Sequence, residues 1–221
     1  MKAPLPVSKK DEMNNDLKKK FKEILIKYLD DRTFKEEKVK SWTNNILNEA
    51  KEYFVSKYPG YNLFLLNSIY PRNIIFRSKA GSISVPNSDY PDFADFSNEG
   101  LYCILYYFFY KNYNLEYYLD DYESEIIQKG YEILEKHLDG RKFDYEKIFN
   151  YNNNIIDDLT NYIFEKEKNL RCFCFNEIYK NPITAKYFFK YLSYGKQIYS
   201  KIFFNYTNDS LICRNSIYFF K

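Results

Sequence analysis

The stretch Glu23–Phe34, EILIKYLDDRTF, returns at Glu132–Phe143 as EILEKHLDGRKF. Sliding the chain by 109 positions sets Arg32 on Arg141, Lys38 on Lys147, Asn67 on Asn176 and Ile69-Tyr70 on Ile178-Tyr179. About 20 of the 52 positions from Glu23 to Ile74 are identical in this alignment, without a gap. Further on, at an offset of 110, FSNEGLYC (Phe96–Cys103) lies over YTNDSLIC (Tyr206–Cys213). Self-similarity at a fixed period is the mark of a repeat architecture. Here there are two domain-sized copies, so the chain is an internal duplication and not a solenoid.

Both copies follow one plan. Phe21, Ile24, Leu25, Tyr28 and Leu29 fall at helical spacing and give a single apolar stripe. Thr33 stands three residues before Glu36, a capping-box pattern that opens a second helix. That helix buries Val39, Trp42, Ile46, Leu47, Ala50, Tyr53 and Phe54, and Pro59-Gly60 ends it. In the second copy Asp144 is the expected cap, ahead of Ile148, Tyr151, Ile155, Ile156, Leu159, Tyr162 and Ile163. Strand-like runs follow at Tyr61–Tyr70, Ile74–Val85, Asp92–Phe96 and Leu101–Tyr110, with a turn at Asn87–Pro91. The second copy repeats them at Leu170–Tyr179, Ile183–Leu192, Gln197–Tyr206 and Ser210–Phe220. Each copy therefore reads ααββββ. The fold class is α+β, with antiparallel sheets and a helix pair packed on one face of each. The expected organisation is a flexible tail over 1–15, a first domain over 16–111, a connector over 112–122 and a second, divergent domain over 123–221. The connector has no Pro/Gly-rich character, which points to close association of the copies.

Composition narrows the function classes. Apolar residues make up 45% and charged residues 29%, enough for an ordinary globular core. The net charge is +3, divided as 18 basic against 14 acidic residues over 1–111 and 15 against 16 over 112–221. Neither half carries the basic footprint of a nucleic-acid binder. The N-terminus, MKAPLPVSKKDEMNND, lacks the apolar core of a signal peptide. The most apolar run, Leu101–Tyr110, is far shorter than the roughly 20 residues of a membrane helix and reads as a buried strand. The four cysteines are expected as reduced thiols.

The segment FKEEKVKSWTNNILNE (Phe34–Glu49) resembles the second-helix signature of the Tctex-type dynein light chains. The residues that carry the resemblance are Phe34, Lys38, Val39, Trp42, Thr43, Asn45 and Ile46. Asn98, followed by Leu101-Tyr102-Cys103-Ile104, resembles the family's last-strand motif. The similarity covers Asp16–Lys111. The second copy departs from it, with Tyr151-Asn152 in place of Trp-Thr and Ile212 in place of Tyr102, and inherits the assignment through the repeat. The resemblance implies homodimers whose subunits exchange their second strands and bind extended peptides along strand edges. On a duplicated chain this becomes an intramolecular pseudo-dimer with exchanged second strands, monomeric as a chain. The implied role is a non-catalytic, cytoplasmic, cytoskeleton-associated light chain that binds a dynein intermediate chain or a cargo peptide, on cytoplasmic dynein or in an axoneme. The alternative is a structural pseudo-dimer in a non-motor cytoskeletal or ciliary assembly.

No residue pattern supports catalysis or a cofactor. His137 is the single histidine, aligned with Tyr28, and no nucleophile or orienting partner accompanies it. Cys172 and Cys174 share a strand face, but no second Cys/His pair stands at zinc spacing, so no metal is expected. Cys103 and Cys213 read as small core residues, and Trp42 as core packing. Asp30-Asp31 and Asp120-Asp121 lie at a helix end and in the connector, where solvation is the default. The candidate site is instead the second strands and the groove beside them. In the first copy these are Ile74, Phe76, Ser78, Ser82 and Ser84; in the second, Tyr187, Phe189 and Tyr191. No nucleic acid and no membrane is expected as a partner.

Overall fold

A computed structural model describes residues 9–83, 91–111, 122–166, 170–181, 188–195 and 198–220. In chain order the elements are α1 (Lys9–Leu29), α2 (Glu36–Lys57), β1 (Tyr61–Pro71), β2 (Phe76–Ile83), β3 (Asp92–Ser97) and β4 (Leu101–Lys111). The second repeat gives α3 (Glu123–Leu138), α4 (Lys147–Lys166), β5 (Arg171–Lys180), β6 (Phe188–Tyr194), β7 (Ile198–Thr207) and β8 (Leu211–Phe220). They build two antiparallel four-stranded sheets, ordered β3-β4-β1-β6 and β2-β5-β8-β7. The second strand of each repeat thus lies in the other repeat's sheet. β2 pairs with β5 from Phe76↔Tyr179 to Ile83↔Cys172. β6 pairs with β1 from Leu63↔Tyr194 to Ile69↔Phe188.

Side chains alternate across a strand, and the central strands are buried on both faces. From β1, Leu63, Leu65 and Ile69 join a core with α1 and α2 that includes Phe21, Leu25, Ile46 and Phe54. From β5, Cys172, Cys174 and Ile178 join the matching core under α3 and α4. The inner faces form a third core between the sheets, containing Phe64, Leu66, Tyr106, Phe108, Phe173, Phe175, Tyr218 and Phe220. The Phe64 ring lies 4.8 Å from Phe173, 4.9 Å from Tyr218 and 5.3 Å from Phe220, so it touches three strand residues of the other repeat. Burial on two faces explains why LYCILYYFFY has no alternation of apolar and polar residues.

The opening echo marks a corner. After α1 the chain turns through Asp31 at φ 56, and after α3 through Gly140 at φ 64. Asn98 clamps the first corner: its side-chain amide donates to the carbonyls of Leu29 (3.1 Å) and Arg32 (2.9 Å). Its oxygen accepts from the N–H groups of Gly100 and Leu101, both at 2.9 Å. Asn208 makes the same four contacts to Leu138, Arg141, Ser210 and Leu211. Each clamp ties the turn between the last two strands to the corner after the first helix. Helix pairs are latched in parallel fashion. Tyr28 donates to Glu49 at 2.7 Å, and at the equivalent positions His137 Nε2 lies 2.8 Å from Asp158.

Three expectations change. The chain is helical from Lys9, within the stretch expected as tail, because Met13 and Leu17 extend the buried stripe of α1. Tyr107 also donates to the Asn14 carbonyl there. Thr33 does not cap α2: the N-cap is Lys35 and makes no side-chain cap bond. Thr33 is instead pressed against Gly100, whose Cβ, were it present, would lie 2.7 Å from Thr33 Cα. And β2 begins at Phe76, not Ile74, because the Ile74 N–H closes a turn onto the Pro71 carbonyl. Asp144 does cap, accepting from the N–H groups of Glu146 and Lys147 at 3.0 and 3.3 Å.

A buried carboxyl sits where the sheets meet. Glu177 of β5 accepts from the phenols of Tyr70, in the other repeat, and Tyr179. Burial pushes its proton affinity above the ordinary carboxyl range, although both phenols and Arg214 pull it down.

Two outcomes follow from these features. Asp31→Gly should stabilise the fold by about 0.5 kcal/mol and Gly140→Ala should destabilise it by about 1 kcal/mol, as urea unfolding would show. Equal effects of the two changes would contradict the shared corner. Folded Glu177 holds its proton more tightly than the unfolded chain does, so its contribution to stability is present below the ordinary Glu value of 4.5 and is lost as pH rises above it. The stability of Glu177→Gln relative to the parent should therefore increase as pH rises above 4.5. A difference independent of pH would show that the carboxyl is not shifted.

Candidate functional site

The exchange leaves four terminal strands: β3 and β6 in one sheet, β2 and β7 in the other. A groove of about 670 Å³ opens between β2 and β3 and is extended by the start of α4. Four large apolar side chains on its walls are exposed: Ile75 (46%), Phe93 (41%), Tyr145 (50%) and Phe149 (56%). They are four of the seven exposed large hydrophobics among the described residues. Clustering of this kind marks an interaction surface, whereas scattered apolar residues do not.

The backbone of β2 gives the groove its polarity. The Lys180 N–H donates to the Ile75 carbonyl at 3.1 Å, making that opposed pair a hydrogen-bonded one. Bonded and non-bonded pairs alternate along an antiparallel ladder. Arg77 and Lys79 therefore bond to β5, while Phe76, Ser78 and Ala80 turn their N–H and C=O groups toward the open edge. The side chains alternate as well. Phe76, Ser78 and Ala80 face the other sheet, and Arg77, Lys79 and Gly81 face α4. Gly81 is required there, since a Cβ would come within 2.4 Å of Ile156 Cγ2.

The candidates named from sequence divide clearly. Ile74, Phe76 and Ser78 line the groove. The Phe76 ring is also 4.0 Å from Tyr70 and 5.7 Å from Tyr102, and Ser78 Oγ is 2.8 Å from the Tyr106 hydroxyl. Ser82 lies further along β2 and is half-buried. Ser84 and Tyr187 fall outside the described residues. Phe189 stands in β6 opposite Ser68, and Tyr191 opposite Leu66. Sequence reasoning missed Ala80, Phe93, Tyr145 and Phe149, because three separated segments supply them and none has a motif.

The counterpart groove, between β6 and β7, is different. Ala80 lies opposite Phe175 and Tyr191 opposite Leu66, and Phe175 and Leu66 are equivalent positions of the two repeats. Tyr191 therefore stands where the first groove has Ala80. Its ring is 5.1 Å from Tyr218, Lys201 lies 4.6 Å over it, and the Lys201 ammonium donates to its hydroxyl. A smaller cavity of about 200 Å³ lies on the sheet of β5, β7 and β8, lined by Phe175, Glu177, Phe203 and Arg214 among others.

The remaining chemistry-bearing residues serve packing. Cys103, Cys172, Cys174 and Cys213 are buried and free. Burial pushes the Cys103 thiol up to about 12. Trp42 is half-buried against the core under α1 and α2. His137 is engaged by Asp158, as described. No helix among the described residues is long and apolar enough to cross a membrane.

The sequence model of the Tctex-1 family matches residues 13–110, from the second turn of α1 to the penultimate residue of β4. No curated protein matches the chain. The matched segment holds the Asn98 clamp and nearly all of the two helices and four strands of the first repeat, so it is the first repeat that is similar to the Tctex-1 family.

Proposed function

We propose that the chain is a non-catalytic dynein light chain or adaptor that takes up an extended peptide as an added strand on the open edge of β2. The carrying observation is the groove itself. A terminal strand with outward backbone groups runs beside clustered, exposed apolar side chains. In strand addition the backbone bonds supply affinity and the alternate side chains select the sequence. The family match over residues 13–110 points to a dynein intermediate chain or a dynein cargo as the source of the peptide, and so to a cytoplasmic, cytoskeleton-associated place of work. Ile74, Phe76 and Ser78 would touch the ligand. The β6 side, with Tyr191 in the place of Ala80, would complete the fold without receiving a second peptide. The chain acts as a monomeric pseudo-dimer.

A structural role in a non-motor cytoskeletal or ciliary assembly is the alternative, favoured by the narrowed β6–β7 groove. Affinity purification separates the two. Recovery of dynein intermediate and heavy chains supports the first reading; other cytoskeletal partners without them support the second.

Titration calorimetry with a dynein intermediate-chain segment should give one peptide per chain, and light scattering a single-chain mass of 26.9 kDa. Ala80→Pro removes an outward N–H and spares the β5 ladder, so it should weaken binding at least about ten-fold with little loss of stability. Lys79→Pro, which cuts the ladder, should destabilise the fold instead. Two peptides per chain, or full binding by Ala80→Pro, would refute this site.

A further inference from the structure

Taking the β2 edge as the strand-addition site proposed above, we infer that its ligand alternates acidic with apolar residues, the acidic ones facing Arg77 and Lys79. Three basic residues, Arg72, Arg77 and Lys79, line the groove, and Asp92 is its one acidic lining residue among those described. Asp92 is already taken: it accepts from Asn14 at 2.7 Å and pairs with Lys18 at 3.2 Å. The three basic groups have no carboxylate partner among the described residues.

Arg77 carries the inference furthest. Its guanidinium lies 3.9 Å from the Tyr145 ring centroid, which fixes the group in place. Its Nε is buried and has no hydrogen-bond acceptor. A buried donor without an acceptor costs roughly 1–3 kcal/mol, and a carboxylate brought by a ligand is the acceptor that best relieves it.

The geometry of strand pairing turns this charge into a pattern. Residues directly opposite on paired strands share a face. An added strand therefore places the residues opposite Arg77 and Lys79 on the α4 side. Those opposite Ser78 and Ala80 fall on the inner side, against Phe93 and Tyr106. Ser78 and Ala80 are small, which leaves room there for large apolar side chains. The ligand then reads acidic, apolar, acidic, apolar along at least four residues.

Fluorescence anisotropy with three short labelled peptides tests this. In each, valine alternates with glutamate, with serine or with lysine. The glutamate peptide should bind at least about ten-fold more tightly than the serine peptide, the lysine peptide least, and added salt should narrow the gap. Arg77→Gln and Lys79→Gln, each checked for normal thermal unfolding, should weaken the glutamate peptide more than the serine peptide and so narrow the ratio between them. Equal binding of all three peptides would overturn the charge pattern and leave the groove standing. Failure of every peptide to bind, or equal binding by Ala80→Pro, would overturn the groove itself and the pattern with it.

Discussion

The pairing of β2 with β5 and of β6 with β1 is the constraint from which the rest of the structure follows. Without the exchange, the first sheet is β3-β4-β1, and β1 would present an unpaired edge whose side chains are buried on both faces. Buried backbone groups must find hydrogen-bond partners, and β6 supplies them. The same holds for β5 and β2. The inner faces are equally interdependent. Phe64, Phe108, Phe173 and Phe220 share one core, so either repeat alone would expose a broad aromatic surface. The repeats are thus halves of one folding unit, though each has a helix–sheet core of its own.

The exchange also sets two grooves in equivalent places, and duplication allowed them to diverge. Two identical subunits must carry identical grooves. On one chain the positions are encoded separately. Ala80 corresponds to Tyr191, Gly81 to Leu192 and Ser68 to Glu177. The first groove is open because its β2 wall is small. The second is narrowed because Tyr191 packs against Tyr218 and is held by Lys201. The Glu177 substitution then uses the pseudo-symmetry, drawing the equivalent phenols of Tyr70 and Tyr179 onto one carboxyl. It couples the repeats with a polar contact that neither could make alone.

Much of the fold was legible from the repeat. Val39, Ile46, Leu47, Ala50 and Phe54 are the buried face of α2 as helical spacing predicts, while Trp42 and Tyr53 lie half-buried at its margin. Element order was also readable, since period-2 and period-3.6 patterns are local. The partner of β2 was expected from the family resemblance and could not be read from the residues of the strand itself. FRSKAGSI is half-buried where its side chains are described and shows no clean alternation, because one face meets α4 and the other a groove. Asn98 and Asn208 stood out as matching residues, but their role as clamps depends on a corner some 70 residues away. The groove was half visible: Ile74, Phe76 and Ser78 lie on one short stretch of chain, whereas Phe93, Tyr145 and Phe149 reach it only after folding. The helical start at Lys9 was hidden by the charged run around it, with Met13 and Leu17 too sparse to mark a stripe by themselves.

An exposed strand edge beside exposed aromatics is an aggregation hazard, and proteins commonly blunt such edges with charge. β2 does this selectively. If two copies paired edge to edge through β2, Arg77 and Lys79 of one would meet those of the other on a shared face, and like charges placed opposite one another oppose pairing. The inner face of β2 offers only Ser78, Ala80 and Ser82 around Phe76, so self-pairing would gain little apolar contact to offset that repulsion. A strand with carboxylates at alternate positions meets the same edge with the opposite result. On the proposed reading, the residues that keep the edge from its own kind are therefore those that choose its partner, and one charge pattern would serve both ends.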